Sequence, residues 1–176
     1  LQRLPRLKLL VTPGMRNASI DVTAAATHGI TVCGTGMLGY PTAELTWGLL
    51  LALLRRIVPE ERAMREGRWQ STLGVGLRGK TLGVIGLGKL GAQVAAIGKA
   101  FQMAVIAWSQ NLTAETAAAN GVELVSKEQL FRRADIATVH LVLSPRSRGL
   151  IGATEFAQMR PTAYLINTSR GPIVDS

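Results

Sequence analysis

The sequence predicts an α/β chain organised on a doubly wound parallel sheet. Three observations carry that expectation. Short apolar runs such as Leu82 to Ile85 do not alternate with polar residues, as suits strands buried on both faces. Alanine- and leucine-rich segments of helical period separate these runs, with short connections, which is the pattern of repeated strand–helix–strand crossovers. One glycine turn, Gly86-Leu-Gly-Lys-Leu-Gly91, joins a strand directly to a helix.

Composition narrows the class. A chain of 176 residues with a hydrophobic fraction of 47% can bury a real core as one domain, or as one domain with part of another. It begins at Leu1 without a methionine and stops at Ser176 with no closing helix, so the expectation is a piece of a longer protein whose sheet is incomplete at its C-terminal end. The longest uncharged apolar run, Leu45 to Leu54, is too short to span a bilayer. A single cysteine, Cys33, excludes an intramolecular disulfide and fits a reducing, cytoplasmic setting. It is expected to be a small buried apolar residue. The net charge of +9 comes from scattered arginines without interleaved aromatics, which argues for a solvated surface rather than a nucleic-acid footprint.

Taken in order, Arg6 to Thr12 predicts a strand that Pro13-Gly14 ends. A short helix follows, with Ser19 as its N-cap, Asp21 in its first turn, His28 in its last turn and Gly29 as its stop, before a strand from Ile30 to Cys33. The glycine-rich stretch Gly34 to Pro41 reads as a crossing between domains. Thr42 is expected to cap a long helix that is apolar nearly all round from Ala43 to Leu54 and must be covered on most sides. Pro59 to Trp69 reads as its charged, exposed extension, with Trp69 a candidate anchor into a neighbouring surface.

The glycine turn comes next. In Gly86-x-Gly88-x-x-Gly91 the first glycine permits a tight turn, the second lets backbone approach a pyrophosphate, and the third lets the helix lie close to its strand. The phosphates would lie over free N–H groups at the helix start near Lys89. Spacing alone is weak, but a strand precedes the turn, an apolar helix follows, and a second strand from Met103 to Trp108 arrives at the interval of a βαβ unit. This is the Rossmann-type arrangement for a dinucleotide.

Thr113 then caps an alanine-rich helix stopped at Asn120-Gly121, and Ser126 with Gln129 makes a capping box for a helix through Arg133. Ile136 to Leu143 predicts a buried strand, Thr154 to Met159 a helix, and Ala163 to Ile166 the next strand, which closes on Asn167-Thr-Ser-Arg-Gly-Pro172. Ligands of such sheets bind at the carboxyl ends of the strands. That rule gathers Gly86 to Gly91, Trp108 to Asn111, His140 to Ser144 with Leu141, and Asn167 to Gly171 on one rim.

On that rim, Ser109-Gln-Asn111 stands where dinucleotide folds place an acidic residue for the ribose. A hydroxyl and two amides can bind a ribose and do not repel a 2′-phosphate, yet no arginine adjoins Ser109 in the chain to attract one. NAD and NADP therefore both stay open, and Ser109 could instead be a plain turn residue. Arg170 ends a buried strand, where a guanidinium can fork onto a carboxylate and polarise a neighbouring carbonyl; a surface arginine or a phosphate clamp are its alternatives. His140, inside a β-branched run, suits a structural or cofactor-packing role better than that of general acid.

These motifs together carry a family resemblance. Thr42-Ala-Glu-Leu45 opening a long helix, Gly67-Arg-Trp69, Leu77-Arg-Gly-Lys-Thr-Leu-Gly-Val-Ile-Gly-Leu-Gly88 and Asn167-Thr-Ser-Arg-Gly-Pro-Ile-Val-Asp175 resemble the D-isomer-specific 2-hydroxyacid dehydrogenases over essentially the whole chain. The resemblance implies that residues 38–176 are a dinucleotide-binding domain truncated before its last strands. Residues 1–37 would be the end of a first substrate-domain segment, a remnant of a flavodoxin-like domain. It implies Arg170 as the catalytic, substrate-orienting arginine and Gly14 as a backbone contact for the substrate carboxylate. It further implies Gly86, Gly88, Lys89, Leu90, Gly91, Ser109, Leu141, Thr168 and Ser169 as cofactor-binding positions, and no metal. The acid/base pair of a histidine and a glutamate is expected beyond Ser176.

The resulting expectation is a cytoplasmic, homodimeric, NAD(P)-dependent D-2-hydroxyacid dehydrogenase acting on a small 2-oxo acid, without a nucleic-acid or membrane partner. By themselves, the 176 residues are expected to bind dinucleotide without turnover. The alternative is a dinucleotide-sensing scaffold of the corepressor kind.

Overall fold

The computed structural model describes residues 3–14, 17, 19–36 and 38–175. The domain boundary expected at Met37 and the chain ends at Leu1 and Ser176 lie outside these residues. The chain divides into two compact units, Leu1–Gly39 and Tyr40–Ser176.

In the first unit, β1 (Leu9–Thr12) and β2 (Thr31–Gly34) pair in parallel, with Leu9 opposite Thr31, and α1 (Val22–Thr27) connects them. Asp21, not Ser19, is the N-cap of α1: its carboxylate accepts from the Ala24 N–H at 2.8 Å. An aspartate three residues before an unpaired helical N–H reaches it directly, whereas Ser19 lies in the preceding turn. Gly29 ends the helix at φ 66° as expected. Cys33 is exposed rather than buried, because the two-stranded sheet of this unit leaves most of β2 uncovered.

The second unit is built on a five-stranded sheet of order β5-β4-β3-β6-β7, every pair parallel. Its strands are β3 (Thr81–Ile85), β4 (Ala104–Trp108), β5 (Glu123–Leu124), β6 (Ile136–Val139) and β7 (Tyr164–Asn167). The helices are α2 (Pro41–Leu54), α3 (Ile57–Arg65), α4 (Lys89–Ala100), α5 (Ala114–Ala119), α6 (Lys127–Arg133) and α7 (Ala153–Gln158), with a 3-10 turn at Gly171–Ile173. The central strand shows why the run carries no alternation. Leu82 and Val84 point into a core with Trp47, Leu50, Leu54, Val94 and Ala95, while Ile85 packs on the opposite face with Leu130, Phe131, Val139 and Ile173. Apolar side chains are required on both faces because helices cover both.

Local helix signals hold in part. Thr113 accepts from the Thr116 N–H at 3.2 Å, and Ser126 with Gln129 forms the reciprocal capping box. Helix α2 departs from expectation at both ends. It begins at Pro41, without a side-chain cap, so Thr42 lies inside it; proline suits the first helical position because its fixed φ fits and its missing N–H would be unpaired there. Nor does α2 extend toward Trp69. Arg56 turns left-handed at φ 57° and α3 starts afresh, since Pro59 would leave the carbonyl four residues back without a donor in a continuous helix.

The apolar surface of α2 is covered on one side only within the described residues. Ala43, Thr46, Trp47, Leu50 and Leu54 are buried, but Leu45, Leu49 and Leu53 are 56%, 46% and 44% exposed. Trp69 is also exposed, at 79%, so it is not buried as an anchor among the described residues. Strand β6 stops at Val139, four residues short of the apolar run. Its neighbours end there too, with Ile85 and Asn167 both level with Val139, and the last ladder bond runs from the His140 N–H to the Ile85 carbonyl at 2.8 Å. Strand β5 has only two residues, both exposed, and carries no apolar pattern that sequence reading could detect.

Among the described residues, no helix is long and apolar enough to cross a membrane, and no group of three or more His, Cys, Asp or Glu side chains is placed to hold a metal.

Candidate functional site

All five strands of the larger sheet run the same way, so the segments leaving their carboxyl ends share one rim. The glycine turn leaves β3 at its centre. Gly86 takes φ 99° and its N–H donates to the Trp108 carbonyl at 2.9 Å, which ties the turn to the end of β4. A side chain at Gly86 would meet the His140 carbonyl group at 2.9 Å. At Gly91 a Cβ would lie 2.0 Å from the Gly86 carbonyl oxygen, so only glycine lets α4 start this close to the turn. Gly88 differs: nothing lies within 4 Å of where its Cβ would be.

That open space fronts the first turn of α4, whose leading N–H groups have no partner within the helix. Lys89 is exposed at the first position and Leu90 is half-buried beside it. Free amides, the positive end of a three-turn helix and a lysine are what a diphosphate requires, and the bare backbone at Gly88 leaves it room.

One cleft of ≈ 230 Å³ opens beside this turn, lined by Ser109, Gln110 and Asn111 from the end of β4 and by Leu141, Val142, Ser144, Arg146 and Ser147 from the segment after β6. No carboxylate lines it. The sequence places no arginine next to Ser109, but the fold brings Arg146 to the same cleft. The Arg146 Nη2 donates toward the Asn111 Oδ1 at 3.5 Å, and the Gln110 Nε2 donates to the Arg146 carbonyl at 3.1 Å. The turn that presents Arg146 is held by buried Ser147, whose Oγ donates to the Val142 carbonyl at 2.7 Å and accepts from the Ser144 N–H at 2.8 Å.

The segment after β7 returns to the same rim. Asn167 organises it: its Oδ1 accepts from the Ser169 N–H at 3.0 Å and its Nδ2 donates to the Arg170 carbonyl at 3.0 Å. Ser169 Oγ donates to the Leu141 carbonyl, joining this loop to the one after β6. Thr168 Oγ1 lies 2.8 Å from the Oγ1 of Thr46, which is fully buried and spends its own proton on the Thr42 carbonyl at 2.8 Å. Thr168 is therefore the donor of that pair, and it fastens the loop to α2. Arg170 is exposed, with Nη1 donating to the Ser169 carbonyl at 3.0 Å, and no carboxylate pairs with it among the described residues.

Both histidines are held by local contacts. His28 caps α1, its Nδ1 2.8 Å from the Ala24 carbonyl. His140 lies under the glycine turn with Nε2 2.9 Å from Thr138 Oγ1 and Nδ1 buried without a partner. Burial pulls its pKa down to about 4, so the imidazole is neutral at ordinary pH.

The larger unit thus brings Gly86 to Gly91, Ser109, Leu141, Thr168, Ser169 and Arg170 to one rim of its own sheet. Gly14 belongs to the other unit, where it takes φ 83° and its N–H donates to Thr35 Oγ1 at 3.0 Å. Sequence reading missed Thr46 and Arg146. A lone polar residue in an apolar helix was the available signal for the first, and none existed for the second.

The profile of the family described as D-isomer specific 2-hydroxyacid dehydrogenase, NAD binding domain, matches residues 47–176. The chain belongs to this family. It is 42% identical to a glyoxylate reductase of Aeropyrum pernix over 100% of this chain and 56% of that protein, and 38% identical to a D-3-phosphoglycerate dehydrogenase of Methanocaldococcus jannaschii over 99% of this chain and 34% of that protein. Among solved structures, a phosphoglycerate oxidoreductase from Vibrio cholerae superposes with a TM-score of 0.95 at 33% identity, covering 99% of this chain and 57% of that one. A D-lactate dehydrogenase from Aquifex aeolicus, solved with NAD and lactic acid, does so with a TM-score of 0.83 at 29% identity, covering 99% and 53%. The chain thus spans about a third to just over half the length of these curated relatives.

Proposed function

We propose that the protein carrying this chain is an NAD(P)-dependent oxidoreductase that interconverts a small 2-oxo acid and its D-2-hydroxy acid. The reading rests above all on one juxtaposition: the glycine turn after β3 and Arg170 after β7 leave the same edge of one parallel sheet, separated by β6 alone. It is supported by relatives named glyoxylate reductase and phosphoglycerate dehydrogenase, and by a structural neighbour solved with NAD and lactic acid.

When bound, the nicotinamide supplies or accepts the hydride. The chain's own residues do the rest. Gly86 to Gly91 with Lys89 and Leu90 cradle the diphosphate, Ser109 faces the adenosine ribose, and Leu141, Thr168 and Ser169 flank the nicotinamide side. Arg170 forks onto the substrate carboxylate and polarises the neighbouring carbonyl, so that the developing oxyanion faces a fixed positive charge. Gly14, expected as a backbone contact for that carboxylate, has its own N–H committed to Thr35 Oγ1 at 3.0 Å and takes no part in this reading. Neither histidine of this chain is read as the proton donor: His28 stands at the end of α1 in the smaller unit, and His140 is neutral at ordinary pH. The protein is further read as cytoplasmic and homodimeric, with the exposed Leu45, Leu49 and Leu53 as the observation favouring a dimer.

Replacing Arg170 tests the assignment. In the intact protein, Arg170→Lys keeps a charge but loses the planar fork, and should lower kcat/KM for glyoxylate by about 10²–10³-fold while NAD(P)H still binds. Unchanged turnover would remove Arg170 from the mechanism.

A further inference from the structure

The cleft at the end of β4 carries a charge pattern that chain order conceals. Its walls come from two segments, Ser109 to Asn111 and Leu141 to Ser147, and they meet through the Gln110 bond to the Arg146 carbonyl at 3.1 Å. We propose that Arg146 selects NADP over NAD by pairing with the 2′-phosphate of the adenosine ribose held at Ser109, an inference that rests on the dinucleotide reading above.

Four features support it. A carboxylate at this point would bind the ribose hydroxyls and repel a phosphate, and this chain has Ser109 there instead. No other lining residue is acidic, and among the described residues Arg146 has no ion-pair partner. Its contact with Asn111 Oδ1, at 3.5 Å, is long and exposed, so a phosphate oxygen can replace it without stranding a buried group. Finally, the buried Ser147 bonds hold the turn, so that the guanidinium is presented from a fixed backbone rather than a loose loop. A planar donor so placed suits the oxygens of a phosphate monoester better than a lysine would.

The test uses the intact protein and measures dissociation constants for NADPH and NADH, with adenosine 2′,5′-bisphosphate and AMP as competitors. The unaltered protein should favour NADPH and the bisphosphate. Arg146→Ala should cut the NADPH-to-NADH affinity ratio by about 10- to 100-fold, the worth of a charge-assisted pair, and Arg146→Lys should recover part of it. Ser109→Asp should shift the ratio in the same direction as Arg146→Ala. An unchanged ratio in Arg146→Ala, or equal affinities in the unaltered protein, would overturn the role of Arg146 while leaving the dinucleotide site standing. Failure of both cofactors to bind would overturn the dinucleotide reading and this inference with it.

Discussion

Gly88 and Gly91 belong to the same glycine turn but answer to different physics. A methyl group at Gly91 would overlap the Gly86 carbonyl oxygen at 2.0 Å, so Gly91→Ala must push α4 off the turn, at a cost of about 1–3 kcal/mol or more. At Gly88 the backbone is at φ −87° and nothing occupies the space a methyl would fill, so Gly88→Ala should alter stability by no more than about 0.5 kcal/mol. The same methyl would stand between the backbone and a diphosphate, so NAD(P)H affinity should fall by about tenfold or more, near 1.4 kcal/mol. Thermal denaturation beside a cofactor titration separates the two substitutions. If Gly88→Ala binds as tightly as the parent, the diphosphate does not lie there.

Strand β6 shows how element length is set by neighbours. Its apolar run continues past Val139, but β3 and β7 supply no further partners, so His140 leaves the ladder and is enclosed beneath the glycine turn. With its folded pKa pulled to about 4 by burial, against about 6.5 in the unfolded chain, the unfolded state alone takes up a proton between those values. The stability from a neutral His140 is therefore fully present above about pH 6.5 and is lost as pH falls toward 4, on the order of 3 kcal/mol in all. Urea midpoints at pH 7 and pH 4.5 should show this slope, and His140→Asn should flatten it. An equal slope in both proteins would mean that His140 protonates freely in the folded state.

For the molecule as a whole, the question is what covers α2. One side packs into the core, while Leu45, Leu49 and Leu53 recur every four residues as an exposed apolar stripe. If that stripe is the face of a homodimer, Leu49→Glu combined with Leu53→Glu should halve the mass seen by light scattering and leave the far-ultraviolet circular dichroism unchanged. A mass that does not move would place the subunit contact elsewhere.

Much of this was legible in the chain, because it depends on neighbours in sequence. The glycine spacing, the capping box at Ser126 and Gln129 and the apolar strands buried on both faces are local patterns, and each forms where it was expected. Two helix starts were misplaced for equally local reasons, since Asp21 and Pro41 outcompeted Ser19 and Thr42. The remaining features need distant segments to meet. The end of β6 is set by its partners, Thr46 meets Thr168 across 122 positions, and Arg146 reaches the cleft beside Ser109 only because the segments after β4 and β6 converge there. Composition and spacing encode what a segment prefers, but a guanidinium's target is a matter of distance, and distance between remote residues exists only once the sheet has assembled.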